Sequence, residues 1–380
     1  MGSESPCANG VTVTPARLRR AQFQDYPHIS RLTSQYFHRQ LPDTVWKRLY
    51  TDNPLWSRVG GRWPIGWVLE NDDGEVVGSF LNIPSRYYLD GVELICASGS
   101  RWAVQPEYRG YASWLMDEHF NQPGVDLLIN ATASPTATPV LSNFAERVPV
   151  GDWANRAVRI IKYRNVASEV LEMKRLPGQR VAGPVLAGGL RVKDLALTPR
   201  LPELPRGVVG ETLVQFDSRF DSFWTTLVQQ NWHKLLAVRN QRTLEWHYGG
   251  PLRSGSLLIC TASRNGVLLA YCVLKEHSFE RLNLQSMQII DYQTVADDLD
   301  LLPGLLRLAL DHPRAAQVDI VESLCVGLPE LRGFERAATL RYRRPSWSLY
   351  YQASGSDLQE RLQSPEVWCP SGYDGDTSYF

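Results

Sequence analysis

The sequence has no apolar run approaching the roughly 20 residues of a membrane-spanning helix, so it predicts no span. It has no excess of either charge. Lys+Arg and Asp+Glu number 40 each, which leaves no global basic field to hold a polyanion such as DNA or tRNA and speaks against a nucleic-acid partner. The six cysteines, at 7, 96, 260, 272, 325 and 369, form no CxxC pair and no short metal-ligand spacing, and four of them fall in apolar strand-like runs. They are expected to be reduced structural thiols, which behave as small hydrophobes when buried. The seven histidines make no HExxH or similar cluster, so no metal is expected. Residues 1–10 show no basic-then-apolar leader pattern, and the expected location is the cytoplasm.

What is present is a long, aromatic-rich globular chain. At 380 residues, with 43% hydrophobic residues and 12 Trp, it exceeds one typical core and suggests two domains. One stretch carries most of the chemistry: Val104-Gln105-Pro106-Glu107-Tyr108-Arg109-Gly110-Tyr111-Ala112-Ser113-Trp114-Leu115-Met116. An apolar strand ends in a Pro turn, passes through Arg-Gly and runs into an amphipathic helix. The first N–H groups of a helix lack intrahelical partners and carry partial positive charge, so a phosphate laid across them is bound by the backbone itself. Gly110, Ala112 and Ser113 are small enough to let it approach.

These residues resemble the acyl-CoA-binding signature of the GNAT acyltransferase superfamily. That signature has small residues three and five positions after the Arg, whereas this chain has Ala112 and then Trp114. The order of elements extends the resemblance over residues 12–166. A strand at 11–21 precedes helices near 29–37 and 42–50, then strands at 65–70, 75–88 and 92–104, with hairpin signals at Asp73-Gly74 and Asp90-Gly91. The helix at 110–120, a strand at 125–131, a helix at 136–147 and a last strand at 156–164 follow.

The second half repeats the plan. A helical pattern over 216–230 and the run Trp246…Tyr248…Pro251 match Trp46…Tyr50…Pro54, and strands at 256–263 and 267–275 flank Asn265-Gly266. A strand at 285–291, a helix at 299–310, a strand at 317–323 and a final strand at 347–352 complete it. Where the pyrophosphate loop would recur, the chain reads Asp297-Asp298, which repels phosphate. The expected fold is therefore α+β, with two tandem GNAT-like domains, each a mixed, mostly antiparallel sheet flanked by helices. The expected divisions are a CoA-binding domain at 12–170, a Pro/Gly-rich linker at 171–212 with room for a short strand at 189–195, a second domain at 213–355 and a tail at 356–380.

The resemblance implies a pantetheine arm along Trp102-Ala103-Val104 and phosphates on Arg109, Gly110, Tyr111, Ala112 and Ser113, with the next strand diverging to admit the thioester. It also implies acetyl-CoA as the donor and an amine of a small polar molecule, such as an amino sugar, as the acceptor. The tyrosine that serves as acid in many GNAT enzymes is replaced here by Leu141-Ser142-Asn143-Phe144. Asn130 and either Ser134 or Asn143 remain to hold a water or the cofactor, and Tyr108 and Tyr111 flank the cradle; each also reads as an ordinary strand-end, capping or packing residue. The tail Trp368…Tyr373-Asp374-Gly375-Asp376 is either a frayed end or an acceptor-side wall in which Asp374 or Asp376 binds the amine or acts as base. An aminoacyltransferase of the peptidoglycan-bridge type and a non-catalytic acyl-CoA-binding module are the rival functions. Monomer and homodimer both stay open.

Overall fold

A computed structural model describes residues 15–37, 40–149, 155–175, 179–198, 200–279, 283–298, 300–324, 332–343 and 348–379. Two sheets dominate it. Across the first run β1 (Ala16–Arg20), β2 (Gly66–Asn71), β3 (Val76–Leu89), β4 (Val92–Val104), β5 (Leu127–Ala133), β15 (Ser348–Ala353) and β6 (Glu146–Arg147). Across the second run β8 (Val209–Leu213), β10 (Leu257–Arg264), β11 (Val267–Phe279), β12 (Leu284–Thr294), β13 (Ile320–Leu324), β7 (Asn155–Ile160) and β14 (Leu340–Arg343). A two-residue strand, β9 (Leu236–Ala237), reaches from the second half to pair with β3 at Tyr87 and Tyr88.

The two orders superimpose slot by slot. In each sheet the fourth and fifth strands, β4–β5 and β12–β13, form a parallel pair within an otherwise antiparallel array. The hairpin turns fall where glycine and its neighbour demand them: Asp90 and Gly91 have φ of 50° and 84°, and Asn265 and Gly266 of 52° and 78°, the left-handed pair that a two-residue hairpin requires.

The sixth slot breaks chain order. In the first sheet it holds β15, which pairs with β5 from Ser348↔Ala133 to Ala353↔Leu127. In the second it holds β7, paired with β13 from Ile320↔Ile160 to Leu324↔Arg156. The strand expected to finish the first domain thus finishes the second, and the reverse. Both strands are short and buried on consecutive residues, Ala157 and Val158 in β7 and Leu349 to Tyr351 in β15, so each reads as a sheet-completing strand without specifying which sheet.

Between β1 and β2 lie α1 (Tyr26–Thr33) and α2 (Asp43–Thr51), whose Ile29, Leu32, Trp46, Leu49 and Tyr50 pack on one side of the first sheet. α3 (Trp56–Val59) is a single turn. α4 (Ala112–Phe120) packs Leu115, Met116, His119 and Phe120 on the other side, against Trp67, Phe80 and Leu128. α5 (Thr138–Leu141) is shorter than the helix expected over 136–147. Beyond β7 come α6 (Tyr163–Met173) and α7 (Gln179–Leu197). α7 corrects the expected linker strand at 189–195: Pro184 and three glycines suggested irregular chain, but the apolar residues return at helical spacing, with Leu190 packed near Val166 of α6.

The halves share a core. Tyr87, Cys96 and Ile129 of the first sheet pack with Phe220 of α8 (Arg219–Gln230) and Tyr248 of α9 (Gln241–Arg253). Tyr271 and Ile290 of the second sheet and Trp368 and Tyr373 of the tail belong to the same core. A second core lies between the second sheet and α10 (Leu301–Asp311), with Phe334 of α11 (Arg332–Arg336). The tail, expected either as a frayed end or as a wall, is packed: after α12 (Ser356–Leu362), Val367, Trp368, Tyr373 and Tyr379 are all buried.

Candidate functional site

β4 and β5 stay together for only three pairs, Cys96↔Leu127, Ala97↔Leu128 and Ser98↔Ile129. Beyond them β4 continues to Val104 on β3, while β5 continues to Ala133 on β15. The two strands therefore part into a V whose apex lies between Ser98 and Ile129. A bulge bends β4 just past the apex: Ser79 faces Ala103 and Leu81 faces Ser100, and Arg101 takes a φ of 52°. Such a left-handed non-glycine residue is costly, and bulges of this kind re-aim strands beside functional sites. The Ser79 hydroxyl donates to the Arg101 carbonyl at 3.1 Å and holds the bulge.

Gly99 opens one side of the V. A Cβ there would lie 2.4 Å from Phe80 Cζ and 3.1 Å from Asn130 Nδ2, so only glycine fits. Asn130 is 6% exposed, yet among the described residues nothing hydrogen-bonds its side chain, and its polar atoms are not sealed off. A buried carboxamide without a partner is costly unless a ligand satisfies it. Tyr350 of β15 stands opposite Asn130 in register. Behind Phe80 sits His119, its ring 4.7 Å away and its pKa brought down to about 3 by burial, so it is neutral.

β4 leads into a 3-10 turn, Pro106–Tyr111, and then into α4, whose N-terminus no side chain caps. Arg109 and Gly110 are exposed, and a Cβ on Gly110 would meet nothing. Gly110 does not need its conformational freedom; what it provides is open space in front of the backbone. Trp114, 42% exposed, leans edge-on against Tyr111 at 4.6 Å and stays out of the helix–sheet interface. Tyr36 donates to the Val104 carbonyl at 3.1 Å.

On the opposite face of β4 the tail arrives. The Tyr87 hydroxyl donates to Asp374 Oδ1 at 2.6 Å, and the Ser371 N–H donates to Asp374 Oδ2 at 2.7 Å. Burial pushes the Asp374 carboxyl above the usual carboxylate range, against the pull of Arg239 and these hydrogen bonds. Burial and the Asp374 charge also drive the Tyr87 phenol well up. Asp374, Tyr87, Ser85 and Ser98 line a narrow cavity of about 20 Å³, enough for one water. Ser85 Oγ lies 3.2 Å from Ser98 Oγ, so the cavity runs to the last residue of the β4–β5 pairing. The last turn, Asp376–Tyr379, packs on β4 and β5 themselves.

No protein-family model matches the chain, and no curated protein matches it in sequence. Solved structures do. A GCN5-related N-acetyltransferase from Anabaena variabilis aligns with a TM-score of 0.54 at 11% identity, over 89% of this chain and 73% of that one. A GCN5-related N-acetyltransferase from Kribbella flavida aligns at 0.52 and 14%, over 91% and 72%. The N-myristoyltransferase of Saccharomyces cerevisiae, solved with myristoyl-CoA, aligns at 0.52 and 10%, over 92% and 82%. The fold is that of the GCN5-related N-acetyltransferases. The chain carries this GNAT fold as two mixed sheets flanked by helices, of which only the first has a glycine-bearing turn before its helix.

Within the GNAT frame the structure gathers some of the sequence-derived candidates and separates others. Trp102, Ala103 and Val104 form the arm of the V beyond the bulge, and Arg109, Gly110, Tyr111, Ala112 and Ser113 form the turn and first residues of α4. Asn130 is at the apex. Asn143 is apart: its neighbour Phe144 stacks at 5.5 Å on Phe120 at the far end of α4, and Asn143 lines an open groove with Glu146 and Gln352. Tyr108 is buried in the core under α4, a packed aromatic. Asp374 faces the cavity, and the side chain of Asp376 lies outside the described residues. Sequence patterns gave no hint of Tyr350, Tyr87 or Ser98, because their place depends on the exchanged strand and on the tail. Cys96, beside the cavity, has its thiol pushed up to about 12 by burial and is inert. Cys260 and Cys272 are buried free thiols, while Cys7 and Cys325 lie outside the described residues.

Proposed function

We propose that this chain is a CoA-dependent N-acyltransferase that passes an acyl group, acetyl above all, from the thioester to an amine of a small polar acceptor. The observation that carries this is the V: strands that part at Ser98/Ile129, an unpartnered Asn130 carboxamide at the apex and an uncapped helix N-terminus at the mouth.

The pyrophosphate would lie on the N–H groups of α4, where Gly110 leaves the backbone open and Arg109 adds a charge-assisted contact. Asn130 would satisfy its carboxamide on the pantetheine arm or the acyl carbonyl. The acceptor would enter from the tail face. There Asp374, with its raised proton affinity, takes a proton from the incoming ammonium through a water in the cavity beside Ser98. The neutral amine attacks the thioester carbonyl carbon; the C–N bond forms as the C–S bond breaks, and the leaving thiolate takes up the proton that the new amide nitrogen gives up. Tyr87, Tyr373, Trp246 and Tyr379 line the same small cavity, which has room for a relaying water and leaves the amine outside it.

The test is isothermal titration with acetyl-CoA, followed by mass spectrometry of a panel of polar amines incubated with enzyme and donor. Binding with acylated product supports the proposal. Binding without any product leaves the acyl-CoA-binding module, and absence of binding refutes both.

A further inference from the structure

The second sheet has Asp297, Asp298 and Asp300 before α10, where the first has its open glycine turn, so a different task is needed to explain it. The tail supplies one. It crosses β12 at Ile290 and Asp291, the first two residues past the last β12–β13 pair, Ile289↔Ser323, where β4 has Gly99 and Ser100. A Cβ on Gly372 would lie 2.7 Å from the Ile290 carbonyl oxygen, so the tail is pressed onto the strand.

Beneath it lies a fully buried ion pair, Arg239 Nε to Asp291 Oδ2 at 3.0 Å. Ser371 bridges this pair: Arg239 Nη2 donates to Ser371 Oγ at 3.2 Å, and Ser371 Oγ donates to Asp291 Oδ1 at 3.0 Å. The same serine donates its N–H to Asp374. Arg239 lies 4.3 Å over the Tyr373 ring, the Tyr373 hydroxyl donates to the Val238 carbonyl at 3.0 Å, and His247 is sandwiched between Tyr373 and Tyr379 at 4.1 and 4.2 Å. Each of these contacts fixes the tail to the second half, whereas Tyr87 belongs to the first.

We infer that the second GNAT half serves the reaction as a mount for the tail, with Ser371 the positioning residue that ties Asp374 to the Arg239–Asp291 pair and so sets it against the first half's apex. This rests on the proposed acyl transfer, in which Asp374 receives the amine proton. Ser371 touches no substrate; its effect passes through Asp374.

The experiment compares Ser371→Ala, Ser371→Thr, Asp374→Asn and the double variant Ser371→Ala/Asp374→Asn in the full chain. Ser371→Ala is expected to lower kcat about 10-fold and displace the acid limb of the pH–rate profile, with the acetyl-CoA dissociation constant unchanged. Ser371→Thr, which keeps the hydroxyl, restores both. The double variant is expected to be no slower than Asp374→Asn, since residues that act through one another are not additive. An additive loss, or a Ser371→Ala profile identical to the parent, overturns the inference. Amide hydrogen exchange at residues 371–379 gives a readout independent of turnover. Exchange about 10-fold faster in Ser371→Ala supports the mount, and unchanged protection overturns it even if no acceptor is ever found. Failure of the acyl-transfer proposal would show instead as absence of donor binding in the parent protein.

Discussion

Tyr87 of β3 hydrogen-bonds to Asp374, 287 residues further along the chain, at 2.6 Å. This contact places a carboxylate from the tail on the central strands of the first sheet, opposite the side on which α4 and its glycine turn lie. In the proposed reaction donor and acceptor groups would thus meet across one pair of parting strands, and the following expectations depend on that geometry.

Asn130→Ala should separate binding from stability. No hydrogen bond among the described residues is lost, so urea denaturation should shift by less than about 1 kcal/mol. Acetyl-CoA affinity should fall about 10-fold, about 1.4 kcal/mol, the worth of one hydrogen bond. Equal affinity by calorimetry would remove Asn130 from the donor site.

The cradle should respond in the same sense. Gly110→Val adds side-chain atoms into open space and should leave the melting temperature within a few degrees, while weakening donor binding. Arg109→Glu turns an exposed cation into an anion beside the pyrophosphate and should weaken it at least 10-fold, more so at low salt. A donor dissociation constant unmoved by both changes would place the phosphates elsewhere.

Stability should fall as pH drops below about 6.5. His119 is neutral when folded because burial lowers its pKa to about 3, but its unfolded value is about 6.5, so the unfolded chain binds the extra proton. The contribution is complete above pH 6.5 and is lost towards pH 3. From pH 6.5 to 5 it amounts to about 2 kcal/mol, and His247, lowered by burial and by Arg239, acts in the same direction. His119→Phe should flatten the curve over this range; an unchanged slope in urea titrations at pH 7 and 5 would show that the histidine is solvated.

Residues 1–200 alone should not fold cooperatively. Without β15 the fifth strand loses its partner from Ser348 to Ala353, and β7 is left with no sheet to enter. Residues 1–200 and 201–380 co-expressed should associate and regain a single melting transition. A sharp, reversible melt from 1–200 by itself would refute this.

Much of the frame was legible in the chain. Asp90-Gly91 and Asn265-Gly266 mark their hairpins because only residues tolerant of positive φ make such turns, and the Arg-Gly run marks the start of α4 because strand, proline and amphipathic helix follow a local grammar. The duplication was visible for the same reason. The exchange of β7 and β15 was not, because strand patterns encode which face is buried and say nothing of which sheet will receive them. α7 was hidden by Pro184 and its glycines, whose propensity is outweighed by packing on α6. Asn130, expected at a strand end, stands in the middle of β5 beside the parting of the strands. Asn143 was misleading because only the packing of Phe144 on Phe120 shows which end of α4 it occupies. The Ser371–Arg239–Asp291 bridge joins positions 132 and 80 residues apart and leaves no local pattern.

The crossed sixth strands also bear on synthesis. A chain emerging from the ribosome reaches Ala133 with one side of β5 uncovered, and the strand that covers it is made about 220 residues later; the long closure this requires makes folding slow and leaves apolar edges exposed meanwhile. The first sheet of this molecule is therefore finished last, together with the tail, so that a truncated translation product would carry the glycine turn before α4 but not a completed sheet to hold it.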